Sequence, residues 1–121
     1  MTQRYRLDLA DGTTVADSVE LATGPWSRFC GLMFRRDLPD GHALVLRPCS
    51  SVHMFFMRFA LDVVFVDGDG VVLRVLHDLR PWRASSFVRG ARSAIELRAS
   101  TARHFGIERG SVLRLVVPAE S

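Results

Sequence analysis

The sequence predicts a mainly-β protein, a sandwich or barrel-like unit carrying one or two short helices. Three observations predict it. Six or more short segments rich in Val, Ile and aromatic residues are punctuated by Gly, Pro and Asp turn signals. The strongest pair, residues 60–66 and 71–79, flanks Asp67-Gly68-Asp69-Gly70, a hairpin signature. Helix-start chemistry occurs twice, at Thr23-Gly24-Pro25 and at Ser100, and each time opens only a short segment.

Residues 4–9 alternate as a strand, and the Asp11-Gly12 turn leads into a second at 13–21. Pro25 sits in the first helical turn, where its missing N–H is harmless, and Gly31 ends that helix. Pro39-Asp40-Gly41 is a turn before a short apolar strand at 43–47. In residues 60–66, Leu61, Val63 and Phe65 share one face, with Ala60, Asp62, Val64 and Val66 on the other. Both faces are apolar, so this strand is expected to be covered on both sides, with Asp62 on a face that is otherwise dry. Residues 80–90 read as a long connection in which Trp82 anchors over the core. A strand follows at 93–97. Ser100 caps a short helix that carries Arg103 and His104 in its last turn and stops at Gly106. A final strand at 111–117 ends at Pro118.

A chain of 121 residues fits one domain, here residues 1–121. No apolar run reaches the length of about 18–20 residues a membrane helix needs, because Arg58 and Asp62 interrupt the longest candidate. The N-terminal MTQRYRLDLADG has no continuous apolar segment, so no signal peptide is visible, and a cytoplasmic, monomeric protein is expected. Two cysteines, Cys30 and Cys49, are too few for a disulfide scaffold and read as free thiols. All sixteen basic residues are arginine, but they are scattered, and 16 against 13 acidic residues leaves only +3. The pattern argues against a nucleic-acid surface.

The stretch 51–69, SVHMFFMRFALDVVFVDGD, concentrates the unusual chemistry. A buried polar side chain without a partner costs about 1–3 kcal/mol, so polar residues in such a run have an assigned task. His53, Met57 and Asp62 form the leading constellation. In an extended chain His53 and Met57 share a face with Asp62 opposite, and a turn near Phe59 would gather all three. His53 and Asp62 would then orient a polar ligand or a water; structurally, Asp62 would instead accept backbone N–H groups or an arginine, with Arg35 and Arg58 as partners. Asp67-Gly68-Asp69-Gly70 fails as a calcium loop: counted from Asp67, the sixth position is Val72 where glycine is required, and the twelfth is Asp78. No metal site is expected, since no histidine or cysteine pair has ligand spacing, and no cofactor is implied. Cys49 and His53 stand four apart, but no catalytic-cysteine signature surrounds them. Trp82 between Arg80 and Arg83 has the ingredients of a stacking platform.

Several separate blocks resemble a known family, domain of unknown function 192, also called uncharacterised protein family 0127. They are Arg28 with Gly31-Leu32-Met33-Phe34-Arg35; residues 52–67, VHMFFMRFALDVVFVD; Arg80-Pro81-Trp82; Ile95-Glu96-Leu97; and Gly106-Ile107 with Gly110-Ser111 and Leu113. Together they run from Thr23 almost to the C-terminus. The resemblance implies a jelly-roll-like antiparallel β-sandwich and no biochemical activity. Many relatives are exported with signal peptides, which this chain does not show. It also has Arg98-Ala99-Ser100 where the family typically carries Pro-Ala-Gly.

The expectation is therefore a non-catalytic module that binds a small polar or anionic ligand in a cleft near residues 50–58. His53, Met57, Asp62, Arg35, Arg58 and Trp82 are the candidate ligand-binding residues. The alternatives are a hydrolase-type enzyme using His53 and Asp62, and an accessory factor contacting protein or RNA through Trp82 and its arginines.

Overall fold

The structure is a computed structural model and describes residues 4–118. Its elements are β1 (Tyr5–Leu9), β2 (Thr14–Ala22), α1 (Pro25–Cys30), β3 (His42–Leu46), β4 (Leu61–Val66), β5 (Val72–Leu79), β6 (Ser93–Arg98), α2 (Thr101–His104) and β7 (Leu113–Val116). The seven strands form one sheet in the order β5-β4-β6-β3-β2-β1-β7. All neighbours pair antiparallel except β2 and β3, which are parallel. A parallel pair cannot be joined by a tight turn, which is why a long crossover containing α1 runs between them.

The two outer strands of this order meet. Val71 bridges Val112, the Val72 N–H donates to the Ser111 carbonyl at 2.8 Å, and the Leu113 N–H donates to the Gly70 carbonyl at 2.9 Å. The sheet thus curls into a barrel whose seam is joined at one corner. Gly70 makes this approach possible: at φ 82° a Cβ there would run into the Leu113 carbonyl.

Curling gives the sheet two apolar faces. Every strand contributes to the enclosed face, with Leu7, Val19, Val45, Val64, Val72, Ile95 and Leu113 among its buried residues. The outer face of β3, β6 and β4 presents Leu44, Leu46, Ala94, Leu61, Val63 and Phe65. Three connections close over it. Leu32 and Leu38 come from the crossover, Val52, Met54 and Met57 from the β3–β4 connection, and Val88 from the β5–β6 connection. All six residues of β4 are consequently buried. The mainly-β architecture expected from the sequence, with two short helices, is realised as one curled sheet.

Two local expectations differ. Trp82 does not anchor over the core but is 60% exposed, because Leu32, Met54, Met57 and Val88 already fill the outer face. Ser100 stands at the start of α2, yet its side chain makes no capping bond and its backbone is left-handed, φ 78°. The cap comes from Asp62, whose Oδ2 accepts the Ala102 N–H at 3.0 Å. Glycine is the residue that adopts this conformation without a Cβ penalty. Ser100→Gly is expected to raise the unfolding free energy by about 0.5–1 kcal/mol, read from denaturant midpoints; an unchanged or lower midpoint would show that serine is not strained there.

Candidate functional site

The β3–β4 connection is laced to the β5–β6 connection. Met54 N–H donates to the Arg83 carbonyl at 2.7 Å, Trp82 N–H to Met54 at 2.8 Å and Ser85 N–H to Val52 at 2.8 Å. Because Val52, Met54 and Met57 are drawn into the core, His53, Phe55 and Phe56 face outward. On the other side α1 buries none of its own residues and leaves Trp26 and Phe29 exposed.

The result is a continuous ribbon of aromatic rings. Trp26 stacks near Phe29 at 5.9 Å between centroids, Phe29 lies 4.9 Å from His53, and His53 5.0 Å from Phe55. Phe55 approaches Trp82 at 6.2 Å, Trp82 meets Phe56 at 4.9 Å, and Phe56 meets Phe34 at 5.4 Å. The six rings besides His53 are each exposed. Three of them, Phe34, Phe56 and Trp82, have positive φ of 67°, 61° and 68°. Each such residue costs about 1–2 kcal/mol, which the surrounding backbone bonds must hold in place. One of these bonds joins the Phe34 N–H to the Phe56 carbonyl at 3.2 Å. Arg58 and Arg83 are exposed beside the ribbon and form no side-chain hydrogen bond or ion pair among the described residues.

His53 is a fixed part of this surface. Its Nδ1 accepts the Phe55 N–H at 3.2 Å, so Nε2 carries the proton and donates to the Phe29 carbonyl at 2.7 Å. Both ring nitrogens are thereby committed, tying the end of α1 to the β3–β4 connection. Between them lies an open groove of about 510 Å³, lined by Pro25, Arg28, Phe29, Cys49, Ser50 and His53. Arg28 donates from Nε to the Thr23 carbonyl at 3.2 Å and from Nη1 to the Pro48 carbonyl at 2.9 Å.

Next to the groove, and sharing Arg28, Phe29, Ser51 and His53 with it, a narrow slot of about 30 Å³ leads down to Glu96. Glu96 lies on the outer face of β6, between Leu44 of β3 and Val63 of β4 in the sheet register. It is only 3% exposed, and its Oε1 has no hydrogen-bond partner. Burial pushes its pKa up to about 7, moderated by the charge of Arg35. Gly31, at φ 50°, keeps the slot open: a Cβ there would stand 3.0 Å from Glu96 Oε1. Burial also pushes the Cys49 thiol up, Glu96 adding to the effect, while a backbone hydrogen bond from Ser51 and the charge of Arg28 act against it.

Of the six residues singled out from the sequence, His53 and Met57 are brought together on the slot wall. Arg35 pairs with Glu20 at 3.3 Å and acts on Glu96 through its charge. Trp82 belongs to the ribbon, and Arg58 lies exposed in the connection next to it. Asp62 is not brought to His53. It sits on the opposite face of β4, where Oδ1 accepts the Asp78 N–H at 2.9 Å and Oδ2 the Ala102 N–H. No turn near Phe59 reverses this, because β4 alternates regularly from Leu61 onward. The residue that sequence reasoning passed over is Glu96, a carboxylate flanked by Ile95 and Leu97 as Asp62 is flanked by Leu61 and Val63.

A larger hollow, about 890 Å³, opens on the enclosed face, lined by Val45, Val66, Ile95 and Leu113 with Arg47 and Arg92. It includes none of the six candidates and no unpartnered buried side-chain atom among the described residues. Among those residues no three His, Cys, Asp or Glu side chains gather as a metal-binding group, and no helix is long and apolar enough to cross a membrane.

A small curled-sheet protein with an aromatic ribbon around a buried carboxyl is thus the class that fold and site define. The family model of DUF192, "Uncharacterized ACR", matches residues 7–115, and the chain belongs to that family. A UPF0127 protein of Pyrococcus furiosus is 36% identical, the match covering 74% of this chain and 85% of the relative. A UPF0127 protein of Thermococcus sibiricus is 31% identical over 84% of this chain and 68% of its own length. Among solved structures, a Sinorhizobium meliloti protein described as a candidate transcription regulator is similar with TM-score 0.78 and 28% identity, covering 95% of this chain and 94% of that one. A Novosphingobium aromaticivorans protein of unknown function is similar with TM-score 0.79 and 21% identity over 92% and 83% of the two chains, a likeness of fold alone.

Proposed function

We propose that this protein is a non-catalytic binding module that takes a polar ligand at the groove beside His53, with the aromatic ribbon as its platform. The observation that carries this reading is the ribbon itself. Exposed apolar rings in an unbroken series mark interaction surfaces on soluble proteins, and here three of them stand on strained backbone that packing alone would not select. The groove is of the size small-molecule sites have, and Arg28 at its wall supports the acceptance of an anionic group. The commitment of both His53 nitrogens and both Asp62 oxygens to backbone partners supports binding over hydrolysis, since neither is left to act as a base.

The second reading is an accessory factor that contacts protein or RNA. It is favoured by the length of the ribbon beyond the groove, from Phe55 to Phe34, and by the description of the Sinorhizobium meliloti relative. Phe29→Ala, beside the groove, and Trp82→Ala, beyond it, separate the two. Under the first reading Phe29→Ala weakens binding at least tenfold and Trp82→Ala does so less, in titrations followed by tryptophan fluorescence or calorimetry, with unfolding midpoints unchanged. Equal losses from both substitutions, on single-stranded RNA or on a protein partner, would replace the first reading by the second. Wild-type binding by both variants would remove the ribbon from function altogether.

A further inference from the structure

The slot under the groove narrows the chemistry of the ligand, and the argument rests on the binding reading above. Glu96 Oε1 is an unpartnered acceptor, almost fully buried, at the foot of a passage wide enough for one or two water-sized groups. An orphaned buried acceptor in a native fold calls for an explanation, and this one is aimed at Gly31 of the crossover, where no side chain stands. The charged and titratable groups around it are Arg28 and Cys49 at the rim, Cys30 and His53 on the wall and Arg35 acting at longer range.

Those surroundings discriminate between possible occupants. An ammonium group would shed its water in a slot of about 30 Å³ while facing two arginines. It also pairs only with the ionised carboxylate. A ligand carboxylate pairs only with the protonated acid. A hydroxyl both donates and accepts, so it satisfies Glu96 in either protonation state, and near neutral pH the carboxyl populates both. The rings of Phe29 and Trp26 beside the groove, 5.9 Å apart, provide flat apolar faces for the C–H side of the same ligand. Hydroxyls on one edge and a C–H face on the other describe a sugar ring.

We propose that the ligand is a carbohydrate, held with a ring against Phe29 and one hydroxyl lowered past Gly31 onto Glu96. The full chain is screened on a glycan array, and the glycans retained are titrated by calorimetry against variants. At least one glycan is expected to bind. Glu96→Leu should weaken it more than tenfold, and Glu96→Gln, which keeps an acceptor and a donor in the slot, should stay within about threefold. Gly31→Ala, which pushes a methyl group toward Oε1, should weaken it as Glu96→Leu does while the thermal midpoint of Glu96→Leu is maintained or raised. Failure to retain any glycan, or equal binding by wild type and Glu96→Leu, overturns the proposal. If single-stranded RNA binds instead, with loss on Phe29→Ala but none on Glu96→Leu, the carbohydrate assignment falls and the binding module stands. If neither glycans nor RNA bind, both fall.

Discussion

Replacing Asp62 with alanine is expected to lower the free energy of unfolding by about 3 kcal/mol. The carboxylate is 1% exposed and accepts two backbone N–H groups from different elements, Asp78 at the end of β5 and Ala102 in the first turn of α2. Hydrogen bonds to a charged acceptor contribute about 1.5–3 kcal/mol each, and removing the acceptor leaves the buried Ala102 N–H and the part-buried Asp78 N–H without their partner. Asp78 is also held at φ 52°, a conformation that needs its anchor. Asp62→Asn should be nearly as damaging, because its amide NH₂ would face one of the two N–H donors. Urea unfolding of the two variants measures this. Midpoints equal to wild type, together with lost ligand binding, would return Asp62 to the functional site.

Raising the pH from about 4.5 to about 7 is expected to destabilise the fold by about 3 kcal/mol through Glu96 alone. The carboxyl is raised from its ordinary value of 4.5 to about 7 in the folded chain, chiefly by burial. Below 4.5 the group is protonated in both states and costs nothing. Between 4.5 and about 7 the unfolded chain ionises and the folded one does not, so each pH unit removes about 1.4 kcal/mol of stability. Above 7 both states are ionised and the loss levels off. Glu96→Gln should abolish this slope and unfold at higher denaturant than wild type at pH 8, whereas at pH 4 the two should nearly coincide. A wild-type stability that rises across the window as much as the variant's would show that Glu96 is ionised and partnered in the folded state. Asp8 behaves in the opposite sense: its hydrogen bond with Arg6 holds its carboxyl below the ordinary range, and its contribution is lost only in acid.

Most of the fold was legible along the chain. The hairpin around Asp67-Gly68-Asp69-Gly70 forms as its turn chemistry predicts, with Asp67 Oδ1 accepting the N–H groups of Asp69 and Val71. The two-sided apolarity of residues 60–66 correctly announced a strand covered on both faces. Helix α1 begins at Pro25 and ends before Gly31, a local matter of missing donors and left-handed backbone. Of the six residues singled out along the chain, His53 and Met57 meet on the slot wall. Trp82 was misread because large aromatics usually fill cores, and nothing local reveals that Met54, Met57 and Val88 have already filled this one.

The sequence by itself determined the class of the fold, the position of its turns and the family. These depend on periodicity and turn chemistry, which act over a few residues. The tertiary structure alone decided that Asp62 serves α2 and β5 while Glu96, thirty-four positions further along, faces His53 across the outer layer. Each is the single carboxylate of its strand, set between apolar neighbours, and strand alternation only assigns each to one side of its own strand. Which side is enclosed, and which backbone donors wait there, follows from how seven strands curl and which connections close over them. That is set by long-range pairing, which no local stretch of sequence contains.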